Sequence, residues 1–94
     1  MFVSVRFVGS LRNAAGKNKI NVEFEKPAKL KEIVDKIVEK KPKLRRALID
    51  VELGDPRVNA LVLVNDKDVS VLDGLETVVK DGDEVVFVPV LHGG

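Results

Sequence analysis

Cysteine is absent from the 94 residues, which removes disulfides, thiolate nucleophiles and Cys-based metal sites together. Histidine is almost as scarce. The one copy is His92, close to the end, so no internal His site can be built. Trp and Tyr are missing, and Phe occurs four times. No apolar run approaches the ~18–20 residues that cross a bilayer. Met1 leads straight into a strand-like alternation, without the basic patch and apolar stretch of a secretory signal. The expectation is a soluble cytoplasmic protein with no membrane partner. An excess of one charge is lacking too. The 16 Lys and Arg stand against 15 Asp and Glu, for a net charge of +1. No overall field draws the chain to nucleic acid or anionic lipid, and direct nucleic-acid binding is not expected.

Apolar residues make up 45% of the chain, enough for one small globular domain. Residues 1–8 alternate, with Val3, Val5 and Phe7 against Ser4 and Arg6, the period of a half-buried strand. Residues 9–19 carry loop chemistry, although Leu11, Ala14 and Ala15 can make one helical turn. Ile20, Val22 and Phe24 resume the alternation as a second strand, antiparallel to the first. After Pro27 the period changes. Leu30, Ile33, Val34, Ile37 and Val38 form one apolar stripe of a helix over 29–40, with Lys and Glu on the other side. No capping oxygen precedes it. Pro42 ends this helix or starts a shorter one carrying Leu44, Ala47 and Leu48. Ala60–Val64, a run of aliphatics, reads as a central strand. Val69 and Val71 read as a brief edge strand, and Glu84–Val90 as the last strand. One helical stripe and one sheet face must bury each other, which gives an α+β, two-layer domain. Placing the apolar first and last strands side by side makes them parallel. That is the β-grasp, ubiquitin-like fold, a mixed sheet of four to five strands on one main helix. It occupies residues 1–90, and residues 91–94 form a flexible tail.

Chemistry is hard to find inside that domain. Asp81 and Asp83 flank Gly82, and Asp66 and Asp68 flank Lys67, but a calcium loop needs further oxygen ligands at fixed offsets. Turn formation is the simpler reading of both. The basic cluster Lys40, Lys41, Lys43, Arg45 and Arg46 lacks interleaved aromatics and reads as a solvated helix face. No Ser-His-Asp set and no phosphate-binding glycine loop occur. The tail remains. A Gly-Gly ending arises by chance in roughly 0.5% of chains at ~7% glycine usage, so Gly93-Gly94 calls for a reason. Six residues from Pro89 to Gly94 reach at most about 20 Å. Glycines have no Cβ, so they can thread a narrow channel and present the Gly94 carboxylate to another protein's active site. Attack of that carboxylate on ATP gives an acyl-adenylate. A sulfur nucleophile then displaces AMP and leaves a thiocarboxylate. The chain itself needs no bound cofactor or metal for this, because ATP and any metal ion belong to the activating enzyme.

The run Lys80-Asp81-Gly82-Asp83-Glu84-Val85-Val86-Phe87-Val88-Pro89-Val90-Leu91-His92-Gly93-Gly94 resembles the C-terminal signature of the MoaD and ThiS sulfur carriers. Phe7-Val8 with Leu11-Arg12 and Gly16 is similar to the first strand end and following loop of the MoaD branch, and Val64-Asn65 to its third strand and turn. That branch is the small subunit of molybdopterin synthase. The resemblance implies adenylation and thiocarboxylation of Gly94, with Gly93 as its companion. It implies sulfur donation in molybdopterin or tungstopterin synthesis beside a large catalytic subunit. It places partner contacts at Val8, Val88, Pro89, Leu91 and His92. One departure matters. MoaD proteins carry two prolines near the end, whereas Pro89 stands alone here. The ending Leu91-His92-Gly93-Gly94 is instead similar to the ubiquitin-related modifier branch, which carries sulfur for tRNA thiolation and conjugates to lysines. The molybdopterin carrier is the first reading, the protein modifier or tRNA-thiolation carrier the second, and a non-catalytic β-grasp interaction module the third.

Overall fold

The computed structural model describes residues 1–90, and all statements below concern those residues. The elements run β1 (Phe2–Phe7), α1 (Ser10–Ala15), β2 (Lys19–Glu23), β3 (Ala28–Lys29), α2 (Leu30–Glu39) and α3 (Pro42–Leu48). They continue with β4 (Ala60–Val64), β5 (Lys67–Asp68), β6 (Val78–Val79) and β7 (Glu84–Pro89). Short 3₁₀ turns occupy Pro56–Val58, Val69–Val71 and Gly74–Glu76.

The main sheet has the order β2-β1-β7-β4-β5. β1 and β7 pair in parallel and every other pairing is antiparallel. This is the β-grasp arrangement expected from the apolar first and last strands. β7 lies in the middle, because Val85, Val86 and Phe87 are buried on both faces of the sheet. Phe7 and Phe87 are register partners and their rings stack, with centroids 5.8 Å apart. The helix α2 lays Leu30, Ile33, Val34, Ile37 and Val38 against the sheet. The expected core of Val3, Val5, Phe7, Val22, Leu30, Ile33, Val34, Ile37, Val62, Val85 and Phe87 is buried throughout, while Ile20 and Phe24 are only partly covered and Ala47 is exposed. Leu11, Leu44 and Leu48 extend the core under α1 and α3. As the weak capping signal implied, no side chain caps α2; Lys29 precedes it in extended conformation. Pro42 starts α3 instead of ending α2 outright, since the missing N–H falls where a helix has no use for it.

Two expectations need correction. Ala60–Val64 is interior to the sheet, but it is not buried on both faces. β4 lies between β7 and the two-residue β5, and it is buried on one face only, through Ala60, Val62 and Val64. Its unbroken aliphatic run arises because Leu61 and Leu63 point to the opposite face. Val69–Val71 is not an edge strand. The edge strand is Lys67–Asp68, and Val69–Val71 winds into a 3₁₀ turn whose first N–H groups are met by Asp68, with Ser70 N donating to Oδ1 at 2.8 Å. A second, two-stranded sheet of β3 and β6 carries the chain over the end of α2. It was invisible in sequence because each strand has only two residues.

The acidic turns are structural, as expected. Phe2 N donates to Asp81 Oδ1 at 2.8 Å. The buried Asp83 accepts from Lys80 N at 2.9 Å and from Asn65 Nδ2 at 3.0 Å. Asn65 Oδ1 in turn accepts from Glu84 N, so one side-chain pair ties two hairpin ends to the start of β7. Asn65 and Asp66 take positive φ, as a tight two-residue hairpin turn demands.

Candidate functional site at the root of the tail

Gly94, Gly93, His92 and Leu91, four of the residues singled out by sequence, lie outside the described residues. The structure describes the point from which they leave the domain. β7 ends at Pro89, opposite Ala60 of β4. One residue on, Val90 N donates to Asn59 O at 3.0 Å. Asn59 Nδ2 donates to Leu48 O, the last residue of α3, at 3.3 Å. On the other side, Gly9 closes the turn out of β1 at φ +60°, and a Cβ placed on it would lie 3.2 Å from Pro89 Cγ. Val8 N donates to Phe87 O, extending the β1–β7 pairing past the end of β1. The tail root is therefore clamped between the first loop, the lead-in to β4 and the C-terminus of α3. Side chains here set the direction of exit with an anchored backbone.

Val8 and Val88, expected at a partner surface, lie beside this root. The alternation places Val86 and Val88 on the sheet face away from α2, with Val85 and Phe87 on the core face. Register adds a residue the sequence reading missed. Leu61 stands opposite Val88, and Leu63 opposite Val86. Val8 and Leu61 are each 39% exposed and Val90 is 43% exposed. Together with the half-buried Val88 and Pro89 they make an apolar band at the end of the sheet where the tail begins. A run of aliphatics such as Ala60–Val64 hides this, because only pairing shows which members face outward. Beside the band, Arg57, Ala60, Leu61, Val69, Ser70 and Val90 line a shallow groove of about 240 Å³.

One ion pair buttresses the root. Arg57 Nη2 lies 2.6 Å from Asp55 Oδ2, and the same carboxylate accepts from Arg57 N at 2.8 Å. The guanidinium hydrogen bond holds the Asp55 carboxyl below the usual carboxylate range, and the carboxylate raises Arg57 in return. This pair caps the 3₁₀ turn that delivers Asn59 and β4. Among the described residues no group of three or more His, Cys, Asp or Glu is placed to hold a metal ion. No helix is long and apolar enough to cross a membrane. What the described root offers is an apolar surface and a fixed exit for the chain.

Comparison with known proteins agrees with this geometry. The model of the ThiS family matches residues 5–94. A stretch of 44 residues is 54% identical to ubiquitin-related modifier 1 of Coprinopsis cinerea, covering 47% of this chain and 36% of that protein. The match thus spans well under two thirds of that relative's length. The solution structure of Urm1 from Trypanosoma brucei superposes with a TM-score of 0.81 at 31% identity, covering 99% of this chain and 95% of the other. A chain of the BexX/CysO complex of Amycolatopsis orientalis superposes with a TM-score of 0.75 at 30% identity, covering 98% and 99%.

Proposed function

This chain belongs to the ThiS family of ubiquitin-like sulfur carriers, and from that we propose that its work is done by the carboxylate of Gly94. The carboxylate oxygen attacks the α-phosphorus of ATP on an activating enzyme and expels pyrophosphate. The acyl-adenylate so formed has AMP as a leaving group. A sulfur nucleophile adds to the carbonyl carbon, AMP departs, and a thiocarboxylate remains. The described residues do not touch these atoms. They hold the tail root and bury the apolar band against the partner. The observation that carries the reading is the coincidence of a family match reaching residue 94 with a clamped exit at Pro89 and Val90. ATP and any metal ion are held by the activating enzyme.

Within the family we favour the ubiquitin-related modifier branch, a sulfur carrier for tRNA thiolation that also conjugates to lysines. Its support is the stretch shared with the Coprinopsis modifier, the likeness to the trypanosomal protein and the Leu91-His92-Gly93-Gly94 ending. Donation to a pterin beside the large subunit of molybdopterin synthase is the competing acceptor. The test has two parts. Intact mass is measured after incubation with an activating enzyme, ATP and a sulfur source, and should rise by the difference between sulfur and oxygen. An unchanged mass with every candidate activating enzyme would defeat the carrier reading. Affinity capture from the native host then assigns the acceptor: a tRNA-thiolation enzyme supports the favoured branch, and a molybdopterin synthase large subunit overturns it.

A further inference from the structure

We propose that the basic edge made by Lys40, Lys43, Arg45 and Arg46, with Arg12 of α1, contacts the phosphate backbone of the RNA that receives sulfur from the tail. The proposal rests on the tRNA branch of the reading above. Its first support is charge segregation. Residues 40–46 hold five of the 16 basic residues and no acid, leaving 11 basic against 15 acidic elsewhere. A near-neutral chain is thus a polarised one, net negative except at this edge. The sequence reading, on the balanced net charge and the lack of interleaved aromatics, treats the cluster as a solvated helix face.

The second support is that these cations are uncommitted. The ion pairs among the described residues use Arg6, Lys29, Lys31 and Arg57. Of the cluster, only Lys41 has a structural task, donating to Ala15 O at the C-terminus of α1 at 3.0 Å. Lys40, Lys43, Arg45, Arg46 and Arg12 are exposed. Leu44 and Leu48 anchor α3 in the core, which fixes the other side chains outward on a rigid element. Five acids border the edge: Glu32, Asp35 and Glu39 share a groove with Arg45, Asp50 shares one with Arg45 and Arg46, and Glu23 and Glu39 share one with Lys40 and Lys41. Lys43 and Arg12 line none of these three grooves, and the five acids stand against the five cations of residues 40–46 with Arg12 and Lys36, so the edge stays net positive.

The third support is place. α3 packs on α1, and α1 packs on the end of β7. The last carbonyl of α3 is joined through Asn59 to Val90. The basic edge and the tail root at Val90 therefore lie at the same end of the molecule. A thiocarboxylate of short reach must be brought to a polyanion, and a row of Lys and Arg beside the tail root lowers the cost of that approach. An acidic protein surface is the rival occupant. RNA is favoured by the tRNA branch on which the proposal rests and by the spread of the cations over α1, α3 and the link from α2, which suits a backbone of repeated charges. Among these cations, the apolar groove of Ile49 and Val51 adjoins only Arg45 and Arg46.

The test titrates the full-length chain with bulk tRNA at about 50 and 200 mM salt. Wild type should bind with a Kd of ~10⁻⁴–10⁻⁶ M, the range of contacts to phosphate alone. The double variant Lys43→Glu/Arg46→Glu should bind about tenfold or more weakly, and the salt slope should fall by about one for each residue changed. Lys67→Glu, on the edge strand β5, should change neither. Poly-glutamate, standing for an acidic protein surface, should not compete with tRNA for labelled chain. Equal affinity of wild type and double variant overturns the proposal. The double variant should keep its melting temperature and should still be thiocarboxylated by the activating enzyme. Loss of thiocarboxylation with RNA binding retained would assign this edge to the activating enzyme and overturn the proposal too. If wild type binds RNA through this edge but is never thiocarboxylated, the Gly94 reading fails and the RNA contact stands.

Discussion

Val88 and Leu61 are direct cross-strand partners in the β4–β7 ladder, on the sheet face away from the helices. Such pairs are the unit from which a sheet face is built, and this one lies two residues before the chain leaves the domain at Val90. A contiguous apolar band beside a functional tail is suited to a partner rather than to water. Changing Val88→Asp places a charge at the centre of the band without entering the core, because Phe87 and Val85 face the other way. Affinity for the activating enzyme should fall by tenfold or more, equivalent to about 1.4 kcal/mol, with a melt close to wild type. Calorimetric titration against that enzyme decides it. Unchanged affinity would remove the band from the docking surface.

Gly9 tests how firmly the exit is held. Its φ of +60° with ψ of −134° belongs to a region kept almost wholly for glycine. A methyl group there also meets Pro89 Cγ at 3.2 Å. Gly9→Ala should therefore cost about 1–3 kcal/mol of stability and displace the ring that starts the tail. In a urea melt the midpoint should drop, and the rate of thiocarboxylation should drop with it at temperatures where the variant is fully folded. A stability loss without any change in rate would mean that the orientation of Pro89 does not matter to the activating enzyme.

The sequence carried the fold well and the site unevenly, for reasons visible in individual residues. Period-two and period-3.6 patterns each report one buried face, so Val3, Val5, Phe7 and the α2 stripe could be read directly. The parallel pairing of β1 with β7 followed from two apolar strands competing for the sheet centre. Ala60–Val64 misled because a strand with aliphatics on both faces looks the same whether its second face is covered by protein or is awaiting a partner. Lys67–Asp68 and Ala28–Lys29 are too short to carry any period. Val8 and Val88 came from the family resemblance, with parity supporting Val88, whereas Leu61 needed the register. Asn59, which joins Val90 to Leu48, had no local signal at all, because its partners are distant in sequence.

Asp55 gives the root a pH dependence whose sign is fixed. The Arg57 guanidinium bond lowers the native pKa of this carboxyl below its unfolded value. Its contribution is then present above the unfolded value, near pH ~4, and is lost as pH falls through the lower native one. The pair is partly open to water, so the contribution is small, about 0.2–1 kcal/mol. Asp55→Asn keeps a capping oxygen for Arg57 N and removes the charge together with one of the two oxygens that accept from the guanidinium. The gap in stability between wild type and Asp55→Asn should be constant from about pH 5 to 8 and should close below about pH 4. Urea midpoints of both proteins across that range provide the check, and a gap that widens on acidification would contradict the assigned ion pair.

Gly94 carries the proposed chemistry, and its position is the variable to change. Adenylation needs a free α-carboxylate at the place where the activating enzyme holds ATP. One added residue moves the reactive carbon by about 3.3–3.6 Å, when a misplacement of roughly 1 Å can already cost ~100-fold. Removing Gly94 withdraws the carboxylate by a similar distance. Both changes should abolish thiocarboxylate formation. Gly93→Ala should act differently, slowing the reaction through the Cβ it adds while leaving the carboxylate in place. The core cluster is complete by Phe87, so all three variants should melt within error of wild type, which separates a chemical defect from a folding one. Intact mass spectrometry after incubation with activating enzyme, ATP and a sulfur source reads the product directly. A chain extended beyond Gly94 that still acquired sulfur at its new terminus would show that the enzyme selects no fixed length, and sulfur transfer from an extended chain that is not trimmed back to Gly94 would falsify the carrier assignment at this residue.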